Sequence, residues 1–240
     1  MQEYLRGNCH VNNTLKQPHF HLLLPRFTYH HLLITHGLAD GVSEMLSALE
    51  RNGYYIVTDT LSAPEATDLR AYMDEHYEHD QFKKAGVGKG TAFTINESIR
   101  KDSILWIDRE PKNEHVSAYA FFIRDLIPQL NRHFFLPLKD IELMYAIYEE
   151  GSYYKKHKDR FVGNQHRFFT VVYYLTDWQE GDGGQLLLYT EDSTVTIEPK
   201  AGTFIIFMSE MEHEVLPAKA RRYSITGWIT DVPIGLTFLP

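Results

Sequence analysis

Three residues have the types and the spacing to bind one metal ion. His157 and Asp159 are two residues apart, and residues two apart in an extended segment point to the same side. One imidazole nitrogen and one carboxylate oxygen can therefore meet a single ion. His213 can supply a third ligand from a distant strand and leave the other octahedral positions open. Two histidines and one carboxylate are the ligand set typical of non-haem iron(II) oxygenases.

A fourth residue, Arg222, could bind a carboxylate beside that metal. It lies nine residues after His213, and strand alternation from Arg222 brings Thr226 and Trp228 to the same face. A guanidinium can hold a carboxylate through two parallel hydrogen bonds, whereas a lysine acts only as a point charge. Each such charged hydrogen bond contributes on the order of 1.5–3 kcal/mol, enough to bind a carboxylate-bearing co-substrate with useful affinity. Arg221 alternates to the other face and is the weaker candidate.

Each of these residues alone has an ordinary structural explanation. A lone His-x-Asp tripeptide is a weak sign of a site, and His213 by itself is typical of a core or surface histidine. Arg222 by itself could be a surface residue of an edge strand. Only the combination, in this order and on one face, favours an iron(II) site with a carboxylate clamp.

The elements that position these residues are predicted from hydrophobic periodicity. Before residue 135 the pattern is largely helical, with two intervening strands at Tyr54–Thr58 and Ile104–Ile107. Three helices are predicted: one from Asp40 or Ser43 to Asn52-Gly53, one capped by Ser62 with Pro64 and Glu65 close behind, and one over Val116–Phe134. Pro128 should kink or divide the third helix.

After residue 140 the pattern is almost wholly that of short strands. The candidates are Ile141–Glu149, Arg167–Thr176, Gly184–Thr190, Thr194–Glu198, Gly202–Met208, His213–Leu216 and Arg222–Thr230. Helices followed by a run of strands predict an α+β fold and not alternating βαβ units. We expect a double-stranded β-helix core, jelly-roll or cupin-like, with N-terminal helices supporting one outer face.

The domain organisation is predicted to be simple. Residues 1–37 form an irregular N-terminal arm, whose scattered histidines are a poor match to a metal site. Residues 38–240 form a single domain, with helical support over 38–135 and the jelly-roll core over 140–231. Within that domain, residues 83–103 contain three closely spaced glycines in a basic, polar stretch, which predicts a mobile loop.

Charge and cysteine content exclude several classes of protein. The chain has 24 Lys and Arg against 32 Asp and Glu, a net charge of −8, which disfavours a general nucleic-acid binder but leaves room for a local basic patch. The single cysteine, Cys9, excludes an internal disulfide framework and favours a reducing, cytoplasmic location. Neither a run of about 18 apolar residues nor a secretory leader occurs, so we expect no membrane association. Oligomeric state stays open.

Several longer blocks surround the site residues. They are Ile99-Arg100-x-Asp102-x-Ile104-x-Trp106-Ile107, Tyr148-x-x-Gly151-x-x-Tyr154-x-x-His157-x-Asp159, Val172-Tyr173-Tyr174-Leu175-x-x-Trp178, Gly183-Gly184-x-Leu186, His213-Glu214-Val215-x-Pro217 and Arg222-Tyr223-x-Ile225-Thr226-x-Trp228. With these blocks, residues 45–230 resemble the Fe(II)- and 2-oxoglutarate-dependent prolyl hydroxylases, especially the oxygen-sensing, hypoxia-type enzymes and their bacterial relatives.

The resemblance implies a role for each matching residue. His157, Asp159 and His213 would bind Fe(II), and Arg222 would pair with the distal carboxylate of 2-oxoglutarate. The remaining implied contacts are Tyr148, Thr226, Tyr174 and Leu186 for the co-substrate, Trp228 near the iron, and Arg167 and Arg100 for the protein substrate. O₂ would be the second co-substrate, and ascorbate would support activity. The 83–103 loop would close over the bound peptide.

Two departures from the family affect what can be carried over. The segment between Tyr148 and His157 is one residue shorter than in the animal enzymes, which affects the exact contact of Tyr148. The chain also ends at Pro240, soon after the last predicted strand. We therefore do not carry over target recognition through the family's C-terminal helix.

The implied activity is hydroxylation of a prolyl residue at its 4-position in an intracellular protein, coupled to conversion of 2-oxoglutarate to succinate and CO₂. One alternative is an oxygenase of the same fold that acts on another residue type, a free amino acid or another small molecule. The other is a catalytically silent jelly-roll binding module. That module would predict loss of a metal ligand or of Arg222, and neither residue is lost.

Overall fold

A computed structural model describes residues 38–86 and 94–233. Within these residues there are three helices, α1 Leu38–Asn52, α2 Ala63–Glu78 and α3 Glu114–Phe134. The strands are β1 Tyr54–Val57, β2 Lys83–Lys84, β3 Ser103–Trp106, β4 Asp140–Tyr148, β5 Tyr154–His157, β6 Arg167–Tyr174, β7 Leu186–Tyr189, β8 Thr194–Ile197, β9 Phe204–Met208, β10 His213–Val215 and β11 Arg222–Thr230. No helix in the described ranges is long and apolar enough to cross a bilayer.

Local sequence signals account for where the helices begin and end. At the start of α2, Ser62 and Glu65 form the reciprocal capping box that their spacing predicts. At the start of α3, the Asn113 side chain accepts hydrogen bonds from two backbone amides of the first turn. Gly53 follows α1 with a φ of +80°, the left-handed conformation that glycine adopts without strain.

The strands form two antiparallel sheets. The larger sheet has seven strands in the order β1-β9-β6-β11-β4-β3-β2, and the smaller has four in the order β5-β10-β7-β8. The long strands β4 and β11 pair over their whole length, from Arg222 opposite Tyr148 to Thr230 opposite Asp140. This central ladder fixes which residues of the two strands share a face.

Strand alternation divides the interior into two apolar clusters. On one face of the large sheet, residues such as Ile147, Val171 and Ile225 pack against the three helices. On the other face, residues such as Tyr174 and Phe207 pack against Leu188 and Val215 of the small sheet. The molecule therefore has three layers, and the predicted site residues of β4, β6 and β11 belong to the face between the sheets.

Comparison with the predicted elements gives two corrections. Pro128 lies inside α3 but does not divide it, because the helix runs without a break from Glu114 to Phe134. The 83–103 stretch is not wholly loop, since Lys83 and Lys84 pair with Ile104 and Ser103. Neither β2 nor β5 was among the candidate strands, whereas the other nine described strands lie within two residues of their predicted bounds. The predicted arm over 1–37 lies outside the described residues.

Candidate metal centre and co-substrate cavity

The three predicted metal ligands meet at the edge of the small sheet. Strands β5 and β10 are antiparallel neighbours, and His157 and His213 are directly opposite each other. Asp159 follows β5 by two residues, and its carboxylate oxygens lie 3.6 Å from His157 Nε2 and 3.4 Å from His213 Nε2. One potential ligand atom from each residue lies within 4.8 Å of the other two. This spacing allows all three to contact one ion.

Backbone contacts orient both imidazole rings for metal binding. His157 Nδ1 is 2.7 Å from the Lys155 carbonyl oxygen, and His213 Nδ1 is 2.9 Å from that of Met211. When each Nδ1–H donates to its carbonyl, the neutral ring presents the Nε2 lone pair to the centre of the site. Both carbonyls are therefore placed to favour the tautomer that a metal requires.

Asp159 is buried and held in its ionised form. Burial opposes ionisation, but the neighbouring His213 and His157 rings outweigh it and hold the pKa of Asp159 well below its usual range. Thr170 Oγ1 donates a 2.8 Å hydrogen bond to the carboxylate. For His157, burial and the nearby His213 lower the pKa, which favours the neutral ring. For His213, the Asp159 carboxylate outweighs the opposing effect of burial and raises the pKa. Metal binding requires the neutral imidazole, so an ion at this position would favour loss of the ring proton.

The arginine predicted to bind a carboxylate lies deeper between the sheets. Arg222 is only 4% exposed, and its guanidinium lies over the rings of Tyr148 and Tyr174, at 4.6 and 4.9 Å from their centres. Its Nη1 makes one long contact, 3.5 Å, with the Ser224 hydroxyl, which in turn is 3.3 Å from Thr226 Oγ1. Arg222 Nε and the Tyr174 hydroxyl are buried without a hydrogen-bond partner among the described residues.

These donors fit a buried carboxylate ligand. Burial raises the pKa of the Tyr174 phenol, an effect that Arg222 partly offsets, so this hydroxyl stays protonated and able to donate. A tight turn also shapes this end of the site, because a side chain at Gly184 (φ +69°) would lie 3.0 Å from Arg222 Cδ. Unpartnered buried donors are costly unless a ligand satisfies them. An anionic carboxylate would satisfy Arg222 and Tyr174 together.

One cavity of about 970 Å³ joins the metal ligands to the Arg222 end. Every residue that the sequence assigned to the site lines this cavity: His157, Asp159, His213, Arg222, Tyr148, Thr226, Tyr174, Leu186, Trp228, Arg167 and Arg100. A volume of this order accommodates a small organic molecule with space remaining. The lining also includes exposed residues at the protein surface, among them Lys83, Trp106 and Phe161, of which Trp106 and Phe161 are 40% and 50% exposed.

The second predicted arginine, Arg167, lies on β6 and has an acidic partner. Its Nε and Nη2 both donate to one carboxylate oxygen of Glu142, at 3.1 and 2.9 Å. Its guanidinium carbon is 3.3 Å from the centre of the Trp228 ring. The flat guanidinium is therefore fixed between a buried carboxylate and an indole face.

The third predicted arginine, Arg100, is also internally paired. Its Nε donates to Asp102 Oδ1 at 2.7 Å and its Nη2 to Oδ2, which gives a two-pronged ion pair. The guanidinium lies 4.3 Å from the centre of the Tyr154 ring, and Arg100 and Tyr154 form an isolated backbone bridge. Arg100 thus ties the segment before β3 to β5, and its contact with a substrate stays a prediction.

Sequence reasoning missed several residues that complete this site. Glu142 and Asp102 neutralise the two arginines, and Thr170 donates to the metal-site carboxylate. Strand alternation could have found Glu142, because it lies six residues before Tyr148 on the same strand and so shares its face. The contact of Thr170 with Asp159 carries no local signal, because it depends on where the chain turns between β5 and β6.

Comparison with known proteins places this site in a family. The 2OG-Fe(II) oxygenase superfamily matches residues 143–230. The chain is 33% identical to a Pseudomonas putida prolyl-4-hydroxylase of known structure, covering 79% of this chain and 98% of that one, with a TM-score of 0.71. A Trichoplax adhaerens prolyl hydroxylase, solved with a peptide fragment of a hypoxia-inducible factor, is 29% identical over 80% of this chain and 90% of that chain, with a TM-score of 0.72.

Curated relatives point the same way but are longer proteins. The chain is 28% identical to the hypoxia-inducible factor prolyl hydroxylase of Caenorhabditis elegans, covering 78% of this chain and 28% of that protein. It is 34% identical to Egl nine homolog 1 of Homo sapiens, covering 57% and 34%. The chain therefore spans about a third of the length of these relatives.

Proposed function

Because the chain belongs to the 2OG-Fe(II) prolyl hydroxylase family, we propose that it hydroxylates a prolyl residue of a protein at the 4-position and converts 2-oxoglutarate to succinate and CO₂. The observation that carries the proposal is the shared cavity. Two histidines and one carboxylate converge in it, and a buried arginine that has no carboxylate partner among the described residues lines the same space. We further propose that the two sheets form the double-stranded β-helix of this family, within a single domain over 38–240.

In this proposal His157, Asp159 and His213 hold Fe(II), and contacts within the protein orient each of these three side chains. The two backbone carbonyls fix the imidazole tautomers, and Thr170 fixes the carboxylate. With three protein ligands, a bound ion would keep other coordination positions open for co-substrates. Bound Fe(II), with 2-oxoglutarate and O₂, supplies the oxidation that replaces a C–H bond by C–OH.

The Arg222 end of the cavity binds 2-oxoglutarate. The Arg222 guanidinium and the Tyr174 hydroxyl donate to the distal carboxylate, with the Thr226 and Tyr148 hydroxyls close by. Leu186 contributes an apolar wall, since it belongs to the cluster between the sheets. Burial of this end excludes water, so each charged hydrogen bond is stronger than it would be in bulk solvent.

The exposed part of the cavity lining receives the substrate peptide. Trp228 with Arg167 and Tyr154 with Arg100 are two contacting pairs in that lining. These fixed side chains hold the peptide so that one proline C–H faces the metal. Closure of the segment within 83–103 over the peptide, support by ascorbate and a cytoplasmic location stay predictions.

The first test is spectroscopic and does not require knowledge of the substrate. Protein reconstituted anaerobically with Fe(II) should develop a metal-to-ligand charge-transfer absorbance band when 2-oxoglutarate is added. The Asp159→Ala variant should show no band, whereas Asp192→Ala, at an exposed acid outside the cavity, should retain it. A correctly metallated protein without a band would contradict the oxygenase assignment.

The second test concerns the substrate. A cell lysate incubated with enzyme, Fe(II), ascorbate and 2-oxoglutarate should contain a protein in which one proline gains one oxygen atom, as measured by peptide mass spectrometry. Omission of 2-oxoglutarate should abolish the product. If 2-oxoglutarate is consumed and the oxygen appears on another residue type or on a free amino acid, the prolyl assignment fails and the oxygenase assignment stands.

A further inference from the structure

The lining of the cavity has more basic than acidic residues, whereas the chain as a whole is net negative. The basic residues that line the cavity are Lys83, Lys84, Arg100, Lys158, Arg167 and Arg222, and the acidic ones are Glu142 and Asp159. The whole chain has the opposite balance, with a net charge of −8. The cavity is therefore a local reversal of the overall charge.

Most of the charges deep in the cavity already have an assigned partner. Arg167 is paired with Glu142, and Arg100 with Asp102. Under the proposed function Asp159 faces the metal and Arg222 faces 2-oxoglutarate. What remains is a set of three lysines, Lys83, Lys84 and Lys158, which we term the lysine rim.

The lysine rim comes from two different sheets. Lys83 and Lys84 form β2, the edge strand of the seven-stranded sheet, and both are exposed. Lys158 directly follows β5, the edge strand of the four-stranded sheet, and is exposed as well. The Arg100–Tyr154 bridge links β5 to the segment just before β3, the strand that pairs with β2. All three lysines line the same cavity, so the rim adds exposed positive charge to it from two parts of the fold.

The rim lysines have no carboxylate within ion-pair distance among the residues that the structure describes. Nearby lysine and arginine residues do: Lys156 pairs with Glu212 at 2.9 Å, and Arg160 pairs with Glu210. The hydrogen bond and charge of Lys156 lower the pKa of Glu212, and the charge of Lys158 adds a smaller effect. The Glu212 carboxylate is therefore the partner of Lys156 and not of Lys158. Three unpaired lysines around one opening repel one another and attract an anionic ligand.

We propose that the lysine rim selects substrates in which acidic residues flank the target residue. The inference rests on the proposed function, because it assumes that a protein segment enters this cavity. An acidic segment fits the site better than a nucleic acid, since three lysines on a chain of net charge −8 are few for binding a phosphate backbone. The exposed Phe161 and Trp106 at the same opening are suited to apolar side chains of a peptide.

A binding selection tests this proposal separately from turnover. The probe is a library of short peptides with one central proline and randomised flanking positions. The protein is immobilised and loaded anaerobically with Fe(II) and 2-oxoglutarate, and retained peptides are sequenced. We expect enrichment of Asp and Glu near the proline. The triple variant Lys83→Glu, Lys84→Glu, Lys158→Glu should retain acidic peptides about tenfold less well, since exposed charge pairs each contribute a few-fold.

A matched control keeps the total charge change constant. Lys112, Lys139 and Lys219 are exposed and do not line the cavity, so Lys112→Glu, Lys139→Glu, Lys219→Glu should select the same acidic peptides as the unmodified chain. Added salt should weaken the enrichment for both of these proteins. The charge-transfer band should be unchanged in all three, because the rim lysines lie outside the proposed metal and co-substrate contacts.

Several outcomes would overturn the proposal. One is a retained set without acidic enrichment, or an enrichment that the rim variant preserves. A second is the absence of any retained peptide, and a third is rim-dependent binding of a single-stranded RNA oligonucleotide without acidic-peptide enrichment. Acidic enrichment without any hydroxylated product would leave the rim intact and contradict the proposed function instead.

Discussion

Two buried arginines of the same cavity, Arg100 and Arg222, differ in where their counter-charge comes from. They are 8% and 4% exposed, and each lies over a tyrosine ring. Arg100 forms a two-pronged ion pair with Asp102. Arg222 has a weak contact with Ser224 and, among the described residues, no carboxylate partner.

The difference separates an arginine with a partner in its own chain from one whose partner, under the proposed function, is a ligand. A buried cation is costly unless a partner compensates it. Arg100 has its partner two residues away in the chain, so its compensation is permanent. Under the proposed function, the compensation of Arg222 arrives with the carboxylate of bound 2-oxoglutarate. Residue type and burial are the same for both, and only the identity of the partner distinguishes them.

The largest effect that we expect is on stability, in Asp102→Asn. This change leaves the Arg100 guanidinium buried with a neutral partner, and breaking a buried ion pair costs about 3–5 kcal/mol. Urea unfolding should show a correspondingly lower unfolding free energy. The control Glu210→Gln alters the ion pair of the more exposed Arg160 and should change stability little. If both variants unfold alike, the buried Arg100–Asp102 pair does not stabilise the fold more than an exposed ion pair does.

The second prediction concerns Arg222→Gln, which should act on co-substrate binding rather than on folding. Loss of a charged hydrogen bond of about 1.5–3 kcal/mol raises the 2-oxoglutarate concentration needed for half-maximal charge-transfer absorbance by roughly ten- to a hundredfold. Unfolding of the ligand-free protein should change much less than in Asp102→Asn, because the substitution removes an uncompensated charge.

The adjacent arginine is a control within the same strand region. Arg221 points to the other face and pairs with Asp74 and Glu149 at the surface. Arg221→Gln should therefore leave the 2-oxoglutarate requirement unchanged. An equal shift in both variants would indicate a general loss of positive charge, and the carboxylate clamp would no longer be assigned to Arg222.

Much of this arrangement could be predicted from the sequence because strand alternation is a strict rule. It places Arg222, Thr226 and Trp228 on one face of β11, and the structure has the three residues on the cavity side. The capping box at Ser62 was likewise predicted, because both of its partners lie within one helical turn.

What could not be predicted depends on contacts between distant residues. Strand alternation places Glu142 on the cavity face, but no local pattern shows that its partner is Arg167, 25 residues later. Strand β5 was missed because its sequence, Tyr-Lys-Lys-His, is polar and has no apolar alternation. That strand exists because it pairs with β10 at the sheet edge. Pro128 was expected to kink or divide α3, and it does not divide the helix, which packs along its length against the large sheet.

The third prediction tests the support of the metal site, where Thr170 donates to Asp159. Thr170→Val keeps the shape of the side chain but removes that hydrogen bond, and loss of such an orienting contact lowers metal affinity by about tenfold. Fe(II) affinity is measured by anaerobic competition with a chelator. Thr196→Val, at an exposed position of β8, is the control. An unchanged affinity in Thr170→Val would mean that Asp159 is oriented by the imidazole rings alone.

The smallest effect concerns the third arginine, Arg167, whose carboxylate partner Glu142 is buried in the cavity wall. In Glu142→Gln the amide oxygen can still accept a hydrogen bond but no longer carries charge, so Arg167 is held less firmly against Trp228. We expect KM for the protein substrate to rise about three- to tenfold, with kcat and the 2-oxoglutarate requirement nearly unchanged.

The split between these constants decides between positioning and simple destabilisation. A general loss of folded enzyme would lower the apparent kcat and leave KM unchanged, which is the opposite of the expected pattern. Arg167→Lys should raise KM by a similar factor, because lysine cannot stack flat on the indole or bind one oxygen through two nitrogens. If the double variant is no worse than either single one, the two residues act as one unit. Additive effects would instead mean that Arg167 contacts the substrate independently of Glu142. Arg167 would then resemble Arg222, whose proposed partner is a ligand, more than Arg100, whose partner is Asp102.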